Sequence, residues 1–324
     1  MINNIIILAA GKGTRLKSKT VKVLHPLAHT TIIQHVIDST AHLNDTDRFV
    51  VVGHQAKEVE ASITQKNITF VEQTQQLGTG HAVQQVIPFL QHKSNNTTLI
   101  LTGDTPLINP QTLTQLQNIH KKTNAAASIL TTEFQDPTGY GRILKDNNQN
   151  VIGIREHKDC NDKEKEIKEI NSGIYMFNTE ELLDNIFKLS TENKQKEYYL
   201  TDIIQILQEK GKTITTYCTS NNNEILGINT RQDLAKATQL HYDQNNQYFM
   251  TNGVTIKDPK STFIDKTVHI EKDTVIEPFT IIKGATQIGT NCTIGPFVEL
   301  NDATIKNNET IKNTHDPQST NATL

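Results

Sequence analysis

Residues 7–24 read ILAAGKGTRLKSKTVKVL: an apolar run that enters two glycines, then a cluster of lysine and arginine with no acid among them. An apolar strand that opens into a glycine loop and then a helix is the usual entry to a doubly wound nucleotide-binding sheet. Gly11 and Gly13 let the backbone curl and approach a ligand closely. The N–H groups of such a turn, with the helix start that follows, form an anion nest. Arg15 can fork onto phosphate oxygens, and Lys22 can reach them as a point charge. The loop is not a Rossmann dinucleotide fingerprint, because GKGTRL lacks the third glycine. Nor is it a Walker loop, because no Gly-Lys-Ser/Thr follows. By itself a Gly-x-Gly loop is equally a tight strand-to-helix turn.

Outward from this loop, strand-like apolar runs recur at 5–9, 49–52, 69–72, 98–101 and 127–131, with helix-like stretches at 32–43, 80–91 and 109–121. That alternation predicts an α/β domain with a largely parallel sheet. From about 130 to 230 the pattern is less regular, with a very charged stretch at 157–169, and reads as an inserted, substrate-facing part of the same domain. A helix is predicted near 230–248. Beyond Asn252, Ile264, Ile270, Ile276, Ile282, Ile288, Ile294 and Leu300 fall on every sixth position, each followed four residues later by a small or β-branched residue. A strict six-residue period is neither helical nor a strand alternation. It predicts a β-helix of hexapeptide repeats, with the aliphatic residue filling the interior. The domains expected are therefore 1–229, a helical linker at 230–251, a short β-helix at 252–305 and a polar tail at 306–324.

Composition limits the function classes. The chain has 324 residues and a net charge of −3, so no global basic field favours nucleic acid, and the cationic cluster is a local feature. No stretch approaches the ~20 apolar residues of a membrane span. Three scattered cysteines suit neither a disulfide framework nor a cysteine metal site, and a cytoplasmic location is expected. The 12 histidines show no metal-type spacing; His25 and His81 read as structural hydrogen bonders.

Further motifs follow the first loop in order: QLGTGHA (76–82), LTGDTPLI (101–108), DPTGYGRI (136–143), REHKD (155–159), EINSGIY (169–175), EYYLTDI (197–203) and GINTR (227–231). Together they resemble the sugar-1-phosphate nucleotidylyltransferases, and within them the bacterial N-acetylglucosamine-1-phosphate uridylyltransferases, the N-terminal half of a bifunctional protein. The hexads resemble the start of that family's left-handed β-helix. The resemblance runs to about residue 305.

It implies a Rossmann-like domain with a mostly parallel mixed sheet, Mg²⁺ as cofactor, and UTP and a sugar 1-phosphate as partners. It also implies Arg15 at the departing pyrophosphate and Lys22 at the α-phosphate, in chemistry carried by cations and positioning. Leu8, Ala9, Ala10 and Gly11 would hold base and ribose, and Gly103 would belong to the same nucleotide site. Gln73, Gly78 and Thr79 would read the uracil edge, a glutamine amide offering both donor and acceptor to an imide. Asp104 and Asn229 would bind Mg²⁺, a hard cation suited to oxygen donors. Gly141, Glu156 and Asn171 would contact the N-acetylglucosamine unit, with Tyr199 and Thr201 on a loop closing over its acetamido group. The plainer readings are a turn-forming Asp104, a helix-capping Asn229 and a solvated Glu156.

Val21 stands where many relatives have proline, and LAHTT (27–31) replaces a usual glycine-lysine pair. The family's β-helix continues for many more coils to an acetyl-CoA site. Nothing like that site is read here, so acetyltransferase activity is expected to be absent, and the polar tail favours a natural short form. About two coils could still support a homotrimer. The rival functions are the same transfer to another hexose 1-phosphate, a non-catalytic nucleotide-sugar sensor, and an acyltransferase built on the hexads.

Overall fold

The structure is a computed structural model that describes residues 2–90 and 96–312. The described residues divide into two compact units, one of those up to 25 and between 31 and 233, the other of 26–30 and those from 234 onward.

In the first unit a nine-stranded sheet is ordered Ile214–Cys218, Ala127–Glu133, Glu169–Asn178, Thr97–Thr102, Asn4–Leu8, Asp47–Val52 and Ile68–Glu72. The hairpin strands Arg142–Lys145 and Val151–Arg155 hang from Glu169–Asn178. Pairing is parallel except at Glu169–Asn178, antiparallel to both its neighbours, and in the hairpin. The strands follow the apolar runs because successive side chains alternate between faces. Ile6, Phe49, Val51 and Ile100 enter the core on one side; Ile5, Ile7, Val50, Val52, Leu99 and Leu101 enter the other. A sheet buried on both faces is one whose central strands can be continuously apolar.

Helix Ile32–Ser39 starts at Thr31, whose hydroxyl accepts from Gln34 N–H, and helix Pro110–Thr123 starts at Asn109 with proline in its first turn. The helix predicted at 80–91 is Thr79–Val86 followed by a 3₁₀ turn at Ile87–Phe89, and its predicted end at Gln91 lies outside the described residues.

Helix Arg231–Thr251, which belongs to the second unit from residue 234 on, leads into paired short strands. Its buried face carries two asparagines for a reason. Asn245 Nδ2 donates to Ile264 O at 2.9 Å, and Asn246 Nδ2 to Thr262 O at 2.8 Å, so these amides satisfy backbone carbonyls at the start of the repeat. Three sets of parallel strands then stack coil on coil, three hexads per coil, with Ile264, Ile282 and Leu300 in one column. Asp273, Asn291 and Asn308 take left-handed conformations at the corners, where short polar side chains are tolerated.

The repeat extends past the predicted boundary at 305. Ile288 pairs with Ile305 rather than Lys306, a shortening of one residue, and the period then resumes in Thr310–Ile311, which pairs with Thr293–Ile294. A strict six-residue count ends at that slip, so the last strand is invisible to it. Of the polar tail expected over 306–324, residues 313–324 lie outside the described residues. No helix among the described residues is long and apolar enough to cross a membrane.

Candidate active site

The strands Asn4–Leu8 and Thr97–Thr102 lie side by side and parallel, so both release their loops at the same sheet edge, the usual ligand position in such sheets. The loop after Leu8 carries the cations; the loop after Thr102 carries Gly103 and Asp104. Gly103 N–H donates to Leu8 O at 2.8 Å, and a Cβ at Gly103 would sit 2.9 Å from that oxygen, so only glycine lets the two loops approach. Gly13 has φ +61, and a Cβ there would overlap Lys22 Cβ. The second glycine of the loop therefore makes room for the lysine stem, while Gly11 faces open space.

Four predicted residues from distant parts of the chain converge here. Lys22 Nζ forms an ion pair with Asp104 Oδ2 and donates to Asn229 Oδ1 at 2.8 Å. Arg15 Nη2 donates to the same Asn229 oxygen at 2.8 Å. The capping alternative for Asn229 falls to its neighbours. Asp233 N–H donates to Thr230 Oγ1 at 3.1 Å, and Thr230 N–H to Asp233 Oδ2 at 2.8 Å, which leaves the Asn229 side chain to the cations. Asp104 holds the GINTR segment as well, since Ile228 N–H donates to its backbone carbonyl at 2.9 Å.

A cleft of about 570 Å³ opens over this cluster. Its wall includes Ala10, Gly11, Gln73, Gly78 and Thr79. Leu8 O and the Ala9 N–H are both engaged within the sheet, so these two residues form the floor. Gln73 does not present both ends of its amide: Nε2 lies 3.0 Å from Gly78 O and 3.0 Å from His81 Nδ1. Thr79 Oγ1 accepts from Leu200 N–H at 3.1 Å and Gly80 N–H donates to Tyr198 O at 2.8 Å. The segment from Gln73 to Gly80 is thus joined to the EYYLTDI loop. Sequence reading did not single out Lys12, Thr14, Gln76 or Glu197, which also line the cleft. Their signal was only adjacency to motif residues.

The predicted sugar residues form a second cluster. A Cβ on Gly141 would lie 3.5 Å from both Asn171 Cβ and Glu156 Oε1, and Thr201 Oγ1 donates to Glu156 Oε1 at 3.4 Å. Glu156 is not a solvated face. Burial pushes its carboxyl above the usual carboxylate range, with the charges of Asp202, Asp159 and Glu197 adding and the Thr201 hydroxyl opposing. Asn171 is buried; its Nδ2 donates to Tyr175 OH at 2.6 Å and its Oδ1 accepts from Gly173 N–H at 3.1 Å. Tyr199 is buried too, its hydroxyl accepting from Gln195 Nε2 at 2.8 Å, and burial pushes the phenol up to about 12. Tyr140, of the same GYG turn, is raised by burial and further by the charges of Asp233 and Asp104.

The glycine loop and the cation cluster thus lie at the carboxyl edge of a doubly wound sheet, the ligand position of a nucleotide-binding fold. The chain belongs to the nucleotidyl transferase family, whose pattern matches residues 4–224, and residues 267–302 match the bacterial transferase hexapeptide, six repeats. It is a homologue of the bifunctional protein GlmU. It is 43% identical to that of Enterococcus faecalis over 263 residues, covering 81% of this chain and 57% of that protein. With the GlmU of Clostridium tetani the identity is 44% over 268 residues, covering 83% and 58%. The chain thus spans little more than half the length of the curated relatives it matches. A solved UDP-glucose pyrophosphorylase complexed with UDP-glucose superposes with a TM-score of 0.61 at 19% identity, covering 78% of this chain and all of that one, a likeness of fold.

Proposed function

We propose that this chain joins UTP to N-acetylglucosamine 1-phosphate, giving UDP-N-acetylglucosamine and pyrophosphate. The convergence of Arg15, Lys22, Asp104 and Asn229 at one sheet edge carries the reading. A sugar-phosphate oxygen attacks the α-phosphorus, a new P–O bond forms, and the bond to the β-phosphate oxygen breaks with its electron pair leaving on pyrophosphate. In that step charge moves onto the α-phosphate and the leaving group. Lys22 would meet the first and Arg15 the second.

The Asp104–Asn229 pair fits Mg²⁺. One carboxylate and one amide oxygen, both hard donors, already share a single cationic partner in the Lys22 ammonium. When bound, Mg²⁺ would neutralise phosphate charge; Asp104 and Asn229 would hold it, and Lys22 would turn to the α-phosphate. Glu156, Asn171 and Gly141 support the N-acetyl sugar, since a half-buried carboxylate is an acceptor for sugar hydroxyls. A cytoplasmic location and association through the hexad repeat belong to the same proposal, the latter tested by light scattering, where a monomer at tens of micromolar would end it.

The first experiment is pyrophosphate release with Mg²⁺, UTP and N-acetylglucosamine 1-phosphate, beside glucose 1-phosphate, other nucleotides and EDTA. Turnover with UTP and the N-acetyl sugar that EDTA abolishes is the expected result. Turnover with another sugar keeps the mechanism and changes the substrate. Binding of UDP-sugar with no turnover of any pair makes the protein a sensor. An arm with acetyl-CoA and glucosamine 1-phosphate tests the expected lack of acetyl transfer.

A further inference from the structure

Gln73 follows the strand Ile68–Glu72, is buried, and lines the cleft. Two groups face its Nε2: the Gly78 carbonyl at 3.0 Å and His81 Nδ1 at 3.0 Å. A carbonyl only accepts, so the end of the amide facing Gly78 must be the NH₂. Its second hydrogen is then directed at His81 Nδ1, which must be bare, and a neutral ring carries its proton on Nε2. With both amide hydrogens used inside the protein, Gln73 has only its Oε1, a pure acceptor, left for the cleft.

His81 is itself held. Its ring stacks on Tyr198 with centroids 6.3 Å apart, and the Tyr198 main chain bonds to Leu77 O and Gly80 N–H. On the far side Gln85 Nε2 lies 3.2 Å from His81 Nε2 and 3.1 Å from the His81 carbonyl. The two tautomers therefore compete. A bare Nε2 would suit Gln85, but Nδ1–H would then turn the Gln73 oxygen inward, 3.0 Å from the Gly78 carbonyl, acceptor against acceptor. Gly78 O is fixed because it takes the Ala82 N–H at 3.1 Å in the first helical turn. Gln85 is a half-buried side chain that can rotate away. The fixed carbonyl decides the tautomer.

We propose that His81 is a positioning residue that locks the Gln73 amide with its oxygen toward the nucleobase. The site then takes a base that presents a ring N–H at that edge, as uracil does at N3, and rejects one that presents a bare ring nitrogen, as cytosine does. The choice of nucleotide rests on the uridylyl-transfer reading; the lock on the amide does not.

The test uses the full chain. Nitrogen-15 NMR of histidine-labelled protein is expected to show a neutral His81 with bare Nδ1 and protonated Nε2; a neutral ring protonated at Nδ1 overturns the proposal. His81→Leu keeps an apolar side chain and removes the acceptor. The UTP-over-CTP ratio of kcat/KM is expected to fall about tenfold, the worth of one hydrogen bond, through nucleotide KM rather than kcat. His81→Asn, whose Oδ1 can stand where Nδ1 stood, is expected to restore most of the ratio. A His81→Leu protein with the parent melting temperature and an unchanged ratio overturns the lock. If the parent turns over no nucleotide, uridylyl transfer fails while the NMR result still decides the proposal.

Discussion

The cationic loop and the hexad repeat are stabilised in opposite ways. In the repeat each aliphatic residue meets its counterpart one coil away, Ile264 beneath Ile282 beneath Leu300, so one contact type recurs down each column. In the loop no contact recurs. Lys22, Asp104 and Asn229 come from three distant segments and meet once, with Arg15 on the same oxygen. Redundant packing makes the repeat a question of total buried area, whereas the loop depends on individual groups. Damage to the first is expected to lower stability, and damage to the second to abolish chemistry.

Lys22→Ala would sharpen that contrast most. Turnover is expected to fall on the order of 10²–10³-fold, the usual effect of losing one preorganised charge at a reacting phosphate. The chemical denaturation midpoint should barely move, and a large shift would break the comparison. In the repeat, Ile282→Ala removes a fully buried side chain and is expected to cost about 2–5 kcal/mol by denaturant titration, with nucleotide KM unchanged.

A third test lies in the sheet domain away from the loop. His120, whose Nδ1 lies 2.9 Å from Ser128 Oγ, is lowered by burial from 6.5 to about 4. The unfolded chain then takes up a proton at higher pH than the native one. Stability from this group is complete above about 6.5 and is lost as pH falls toward 4, on the order of 3 kcal/mol. His120→Gln should flatten that part of the stability–pH curve.

Glu156 has the opposite sign. Its raised carboxyl makes the native state hold a proton that the unfolded chain has released, so stability falls as pH rises above the ordinary carboxylate value. Glu156→Gln is expected to remove that slope and stabilise the protein near neutrality, while KM for the sugar phosphate rises roughly tenfold. The smallest effect concerns the ion pair. Without nucleotide, Lys22→Met should bind Mn²⁺ about two- to fivefold more tightly by calorimetry, because the ammonium no longer competes for Asp104.

Local pattern made much of this protein legible. The alternation of apolar strands and helices, the glycine loop and the six-residue period are short-range signals, because backbone geometry repeats over a few residues. They specified the α/β sheet and the repeat, although the one-residue slip before Ile305 hid the last strand. The ordered motifs marked Arg15, Lys22, Asp104 and Asn229 as candidates. Only the tertiary structure decided that they share one oxygen pair, that Thr230 and Asp233 relieve Asn229 of capping, and that Gly13 exists to admit the Lys22 stem. It alone also turned the Gln73 amide, by placing a carbonyl and a ring nitrogen at the same end. The reason is physical: hydrogen-bond direction and charge depend on distances between residues far apart in the chain, and no local period encodes those.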